Sequence, residues 1–369
     1  MNGKILKKDN QAKYEKMQKN NTELNNREYE QRKIRLDSYP QAIFIQMDAP
    51  CTQDCIFCSR PKVYKHFDLE SYKKKFEEKL NPVIQRAKRL NLTGSGELLI
   101  LAEAKKVLAY FNQFKHTEKM FATNGSTLTP KMIDFIAESY NRYVIHISIH
   151  ACDPCIHRVM TQSEKNYDVV CYNLQYLKKV KEQVDNIAIN FIFLATTKNI
   201  ENLFDFIKFG QEHNADGIIV YYNYIYRLEQ KELSCFFMQD KTNIIFDSVK
   251  KEAEEKGITL ILPPKFKQNS YPQIHLCREA WSQIMLNYEG AIISCDVSGD
   301  SNENINGKDF IDVWNGSYYT NLRQNLINGE NACSKYCIRA NPSAVNNFRS
   351  HIITRGKRKE EIEELLKGT

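Results

Sequence analysis

Residues 51 to 58 read Cys-Thr-Gln-Asp-Cys-Ile-Phe-Cys, which sets Cys51, Cys55 and Cys58 in a C-x3-C-x2-C loop. Three thiols this close can wrap one small inorganic centre from a single loop. A [4Fe–4S] cluster normally takes four cysteine thiolates, so three leave one iron open to a cofactor or substrate. A structural zinc site would need a fourth ligand close by, and His66 is the nearest candidate.

A second set follows much later. Cys277 and Cys295 frame Gly290 in a C-x12-G-x4-C pattern, and Cys333 and Cys337 add a C-x3-C pair. Four thiolates in two pairs can fully ligate another [4Fe–4S] cluster, and a zinc ribbon is described by the same pairing. Gly290 stands where a hairpin needs a positive φ. Seven of the eleven cysteines thus fall into cluster-like patterns. In a reducing compartment such thiols are metal ligands or catalysts rather than disulfides. Cys152, Cys155, Cys171 and Cys235 are left over. Cys171 is expected mid-helix on a packed face, where a thiol behaves as a small hydrophobe.

The first loop resembles that of the radical SAM enzymes, which share its spacing and the aromatic before the last cysteine, here Phe57. Thr52 departs from the Asn that many relatives carry. The resemblance implies that Cys51, Cys55 and Cys58 ligate three irons, while the fourth chelates S-adenosylmethionine (SAM). Reductive cleavage of SAM would give a 5′-deoxyadenosyl radical that abstracts hydrogen from an unreactive C–H bond. A low-potential flavodoxin or ferredoxin would supply the electron. The stretch Thr93-Gly94-Ser95-Gly96-Glu97 looks like the family's glycine-glycine-glutamate motif, which holds the SAM amino group, although Leu98 replaces its usual proline. By the same resemblance Gly94, Gly96, Glu97, Thr123 and Ser148 would contact SAM, with Asn190 and Tyr222 placed for further contacts. The second cysteine set matches the start of the SPASM/twitch extension. No cysteine follows Cys337, so the one-cluster twitch form fits better, and two [4Fe–4S] clusters are expected in all. Cys152 and, secondarily, Cys235 are candidates to quench a substrate radical by hydrogen donation; inert loop thiols are the plain alternative.

The elements that position these residues can be read from periodicity. Residues 42–48 alternate as a strand, 68–88 carry a helical pattern broken at Pro82, and 119–124 form a strand before a helix opened by Pro130. Strand 143–150 puts Ile145, Ile147 and Ile149 on one face and His146, Ser148 and His150 on the other. Central parallel strands are normally apolar on both faces, so the polar row argues for a wet cavity. Strand 186–194, helix 199–213, strand 217–222 and helix 240–257 continue the alternation. About six β/α units favour a parallel sheet with right-handed crossovers, too few to close an eight-stranded barrel.

The expected fold is therefore α/β, a partial (β/α)6 TIM-like barrel followed by a small cysteine-rich α+β domain. The expected divisions are a loose polar lead-in over 1–40, the core over 41–262, the SPASM/twitch domain over 263–342 and a solvated basic tail over 343–369.

Of 369 residues, 42% are hydrophobic, enough for a substantial core, and the net charge of +7 attracts acidic partners only weakly. No run of 18 apolar residues marks a membrane span, and the N-terminus lacks a secretory h-region, so a cytoplasmic chain is expected. No basic–aromatic stripe of the kind nucleic-acid binding uses is present. The expected function is oxidation or epimerisation of a small polar substrate such as a carbohydrate or aminocyclitol. The alternatives are maturation of a short ribosomally made peptide, by crosslinking or epimerisation, and a non-catalytic iron–sulfur or RNA-modifying role.

Overall fold

The computed structural model describes residues 2–59, 66–272, 276–295, 299–330, 335–353 and 357–367; Cys333 lies outside them. Helix α1 (Asn2–Glu30) leads to strand β1 (Ala42–Ile45). Helix α2 (Leu69–Ile84) joins β1 to β2 (Arg89–Asn91), and α3 (Ala104–Phe111) joins β2 to β3 (Glu118–Thr123). Helix α4 (Pro130–Glu138) leads to β4 (Tyr143–Ser148); α5 (Pro154–Thr161) and α6 (Asn166–Lys181) lead to β5 (Ile187–Ala195). Then come α7 (Leu203–Glu212), β6 (Gly217–Tyr222), α8 (Gln239–Lys256) and the short β7 (Leu260–Ile261). Strands β1 to β7 pair in sequence order, every pair parallel. This is the expected α/β partial barrel, with one short strand added at its edge.

Local chemistry sets the element ends. Asp68 Oδ1 accepts from Ser71 N at 2.7 Å and caps α2. Pro82 removes a backbone donor inside that helix, which stops at Ile84. In β4, buried and half-buried residues alternate, and Ile145 and Ile147 are fully buried. The buried face packs on helices: Phe193 in β5 meets Phe206 of α7 with ring centroids 5.0 Å apart. The half-buried face turns into the barrel.

The cysteine-rich segment is joined to the barrel through the barrel's own sheet. Helix α9 (Glu279–Ser282) precedes β8 (Gln283–Leu286), which pairs parallel to β1. Strands β9 (Ala291–Cys295) and β10 (Gly299–Asn304) follow antiparallel, so ten strands form one sheet with β10 and β7 at its edges. Pairing with β8 satisfies the backbone groups along the outer side of β1. Gly290 makes the β8–β9 turn at φ +85°, and a Cβ there would lie 2.8 Å from the ring of Phe76.

The lead-in is far from loose. Asn25, at the foot of α1, donates to Ser38 Oγ at 2.9 Å and to Trp281 O at 2.6 Å. Buried Glu28 accepts from the amides of Asp37 and Ser38 at 2.8 and 3.1 Å. Helices α10 (Phe310–Trp314) and α11 (Ser317–Asn328) close over the same region. From α11, the buried Arg323 donates to Ile34 O and stacks 4.5 Å over Trp314. Polar residues that read as solvated in the sequence act here as buried hydrogen-bonding posts, because each meets backbone groups that would otherwise lack partners.

The tail likewise departs from a purely solvated helix. Ile352 bridges to Ile225, His351 is buried against Tyr222 and Phe266, and Leu365 of the C-terminal helix Lys359–Leu366 is buried. Among the described residues, no helix is long and apolar enough to cross a membrane.

Candidate active site

Past β1 the chain runs on to the cysteine loop, where Cys51, Cys55 and Cys58 are half-buried thiols outside any disulfide. The loop backbone is held on two sides. Asp54 N and Ile56 N donate to Thr161 O and Met160 O, each at 3.1 Å. On the other side Gln230 Nε2 donates to Ile56 O at 3.2 Å and Cys58 O at 3.3 Å, while its Oε1 accepts from Tyr226 N and Arg227 N. Every hydrogen-bonding position of this buried amide is used. Phe57 packs edge-on against His150 at the end of β4.

The glycine–glutamate turn serves this loop in a way the sequence did not show. Backbone approaches backbone here: a Cβ on Gly94 would lie 2.1 Å from Met47 O, and one on Gly96 1.8 Å from Ala49 O. Gly96 also sits at φ +97°, which only glycine adopts readily. Close approach lets Ala49 N donate to Ser95 O at 2.9 Å and Glu97 N to Pro50 O at 2.8 Å. The turn therefore braces the strand that carries Cys51.

Glu97 is buried and its carboxyl is occupied by protein donors. Thr123 Oγ1 donates to it at 2.9 Å and Asn124 N at 2.7 Å, while burial raises its pKa. The Thr123 hydroxyl is thus committed to Glu97. Asn124 carries the connection onward: its Nδ2 donates to Thr52 Oγ1 at 3.0 Å and reaches Cys51 Sγ at 3.6 Å. The departure at Thr52 is accommodated here, since its hydroxyl also meets Ser126 Oγ at 2.9 Å.

The barrel's inner wall is built from the half-buried row of each strand. It carries Gln46 and Asp48 beyond β1, His146 and Ser148 on β4, Asn190 on β5 and Tyr221 on β6. Asn190 is paired with His146, two residues below Ser148 and its partner Ile192, so it lies deeper in the barrel than the cysteine loop. Asp48 Oδ1 accepts from Gln46 Nε2 at 2.7 Å and Ser95 N at 3.2 Å, and burial raises its pKa.

Tyr222, expected toward the cofactor, faces the helices. Its hydroxyl donates to Pro264 O at 2.8 Å and its ring packs on Phe246 and Phe266. Strand alternation puts Tyr221, 42% exposed, on the inner wall in its place. The same alternation was available in the sequence. Alternation through 42–48 likewise put Asp48 on the face opposite Ile43, Ile45 and Met47, whereas Gln230 had no comparable signal.

The two candidate donor thiols differ in position. Cys235 is 1% exposed in the core beside Tyr222, away from the inner wall, and burial pushes its thiol up to about 12. Cys152 is half-buried; its amide and sulfur both donate to Asn202 Oδ1, at 2.8 and 3.4 Å. Burial pushes this thiol up to about 11, so it is protonated at neutral pH. Cys155 is exposed on α5.

In the second set, burial is the main force pushing Cys277 up to about 11, and the nearby Cys337 and Cys295 add to it by like-charge repulsion. Cys277 therefore stands within electrostatic reach of both Cys337 and Cys295. Arg339 lies among them, its side chain largely exposed, paired with Glu279 at 3.3 Å and within the field of Tyr221. The second thiol set and the inner wall thus share a neighbourhood. Among the described residues, no three His, Cys, Asp or Glu side chains converge as around a single ion. A four-iron cluster instead spreads its thiolates over separate irons.

Residues 50–210, from just past β1 into α7, match the family model described as Radical SAM superfamily. No curated protein matches it. Among solved structures it resembles Streptococcus suis SuiB bound to S-adenosylmethionine (TM-score 0.58, 14% identity), covering 77% of this chain and 66% of that one. SuiB bound to its precursor peptide SuiA gives a TM-score of 0.59 at 13% identity, covering 77% and 67%. The structure titled native anSMEcpe with bound AdoMet and Cp18Cys peptide gives 0.57 at 16%, covering 76% and 81%. At these identities the likeness establishes the fold. The chain spans about two thirds of the length of SuiB.

The family match implies a [4Fe–4S] cluster and S-adenosylmethionine, and the cysteine loop fits the cluster. Three half-buried thiols sit on one loop pinned from both sides, with an amide donor aimed at one sulfur. The polar inner wall opens beside them.

Proposed function

We propose that this chain is a radical SAM enzyme acting on a polar substrate held in the barrel, which it oxidises or epimerises at carbon. The observation that carries the reading is the three-thiol loop held at the end of a barrel whose inner face is lined by Gln46, Asp48, Ser148 and Tyr221. When bound, the cluster and SAM supply a 5′-deoxyadenosyl radical able to abstract hydrogen from carbon. The chain's own part is positional. Gln230 and the amides of residues 54 and 56 fix the loop, and the glycine turn and Glu97 brace the strand before it. The protein around such a centre excludes water and side reactions. Asp48 and Ser148 offer the substrate hydrogen-bonding partners.

Cys277, Cys295, Cys333 and Cys337 would hold a second [4Fe–4S] cluster, supported by the nearness of Cys337 and Cys295 to Cys277. Cys152, protonated and anchored to Asn202, is the better placed of the two candidate hydrogen donors. The electron donor would be a flavodoxin or ferredoxin. A peptide substrate is the second reading, favoured by the shared fold with SuiB and anSMEcpe, whose titles name bound peptides.

The test is anaerobic incubation of the iron-reconstituted protein with SAM and dithionite. Formation of 5′-deoxyadenosine, abolished by Cys51→Ala, is expected; its absence from the wild type would sink the enzyme assignment. Fractionated host extract that stimulates this formation would then identify the substrate.

A further inference from the structure

We propose that Asn124 sets the reduction potential of the iron–sulfur cluster on the 51–58 loop by donating a side-chain hydrogen bond to the sulfur of Cys51. The proposal rests on the radical SAM reading above.

The geometry fixes which way this amide faces. Asn124 Oδ1 accepts from the backbone N–H of Ser126 at 3.0 Å and from the Ser126 hydroxyl at 2.7 Å. A backbone N–H can only donate, so the group facing it must be the oxygen. The NH2 group is thereby turned to the cysteine loop, where it lies 3.6 Å from Cys51 Sγ and 3.0 Å from Thr52 Oγ1. Its two hydrogens have two acceptors, one of them the ligand sulfur.

The residue has little freedom to move away. It is 7% exposed, and its own amide N–H donates to Glu97 Oε2 at 2.7 Å. Glu97 is in turn held by Thr123. The donor is therefore in place before any cluster binds, and it faces an atom that becomes more electron-rich when a cluster is reduced. Hydrogen bonds to cluster sulfurs are among the levers that set potential. A donor stabilises the more negative, reduced form, so it moves the midpoint upward. The loop's own side-chain amide, Gln53, lies toward a different thiol, its Oε1 3.5 Å from Cys55 Sγ.

The experiment is an EPR-monitored potentiometric titration of the full-length reconstituted protein, following the signal that changes on adding SAM. Asn124→Leu removes the donor at similar volume. Asn124→Asp keeps the acceptor for Ser126 but replaces the NH2 group by oxygen. Both are expected to shift the midpoint to more negative potential. Thr52→Val, which removes only the competing acceptor, is expected to leave it unchanged or raise it. An unchanged or raised midpoint in the Asn124 variants overturns the proposal. So does a drop in Thr52→Val equal to that in Asn124→Leu, since loop packing would then explain both. If Asn124→Leu takes up no cluster, Asn124→Ala decides in its place, because the carboxylate of Asn124→Asp lowers the midpoint by its charge as well. Loss of the cluster from Asn124→Leu and Asn124→Ala, with Thr52→Val still loaded, assigns Asn124 to cluster assembly and also overturns the proposal. A wild type lacking the SAM-responsive signal defeats the radical SAM reading, a different result.

Discussion

The ring of Phe57 stands edge-on to the imidazole of His150, with centroids 4.7 Å apart and planes at 86°. This contact joins the cysteine loop to the end of β4, and an edge-to-face pair contributes about 1 kcal/mol beyond its buried area. The imidazole in it is neutral. His150 Nδ1 accepts from Leu194 N at 3.1 Å, so that nitrogen carries no proton, and burial pushes the ring down to about 3. The unfolded chain binds a proton near 6.5. Between about 3 and 6.5 the unfolded state therefore holds more protons, and stability rises with pH. His150's contribution is complete above 6.5 and is lost as the pH falls toward 3. Melting of the protein between pH 7 and pH 4 is expected to show a falling Tm, with a shallower slope in His150→Asn. Equal slopes in the two proteins would remove His150 from the account.

Gly94 and Gly96 are expected to tolerate no side chain. In both, the nearest atoms to an added Cβ are backbone atoms of residues 47 to 50, which cannot rotate aside. Gly94→Ala must displace the strand that carries Cys51, so we expect a loss of at least about 3 kcal/mol, the upper range for overpacking. Urea denaturation measures the loss. Gly307→Ala, at φ +71° with nothing within 4 Å of an added Cβ, gives the cost of backbone strain alone, and Gly94→Ala should exceed it. Equal stability of Gly94→Ala and wild type would mean that the turn does not brace the loop.

What was legible in the sequence was local. Strand periodicity placed β4 and β5 and separated Ile145 and Ile147 from Ser148, because a strand buried on one side must alternate. The thiol spacings likewise needed only neighbours in the chain. Tyr222 was misplaced although the alternation through Ile218 and Val220 already assigned it to the helix side; its resemblance-based role outweighed the period. Other features depend on partners far away. Asn25 meets Trp281, 256 positions on, and Gln230 meets Ile56, 174 positions back. Neither polar residue carries a local mark that separates a buried post from a solvated surface residue. Cys235 reads as a loop thiol for the same reason, and only packing shows it beside Tyr222 in the core.

The lead-in should behave as part of the core. Glu28 is buried, pairs with Lys33 at 3.1 Å and receives the amides of Asp37 and Ser38. Although burial works against its charge, these donors outweigh it and hold the carboxyl below its ordinary range. Glu28→Ala leaves two backbone donors without their acceptor, and each buried unsatisfied group costs about 1–3 kcal/mol. Thermal unfolding should show a clear loss of stability, larger than for Glu15→Ala on the exposed part of α1. Indistinguishable melting of the two variants would mean that the helix is not docked as described.

Metal content separates the two thiol sets. The fully reconstituted protein is expected to hold two [4Fe–4S] clusters, about eight irons per chain by the four-iron count of each. Replacing Cys51, Cys55 and Cys58 by Ala should halve the iron, because Cys277 just precedes α9 and Cys295 ends β9, on elements joined to the barrel through β8 and β1 rather than through the first loop. Cys277 sits beside Cys337 and Cys295 at the far side of the sheet order from β2 to β7, so losing the first loop leaves those thiols in place. Elemental analysis with EPR reads the outcome directly. Zinc recovered in place of iron after the triple replacement would identify the second set as a ribbon-type zinc site. No metal at all would mean that the second set does not ligate one. Retention of about four irons with a reducible signal that no longer responds to SAM is the result that assigns SAM to the first loop and a closed cluster to the second.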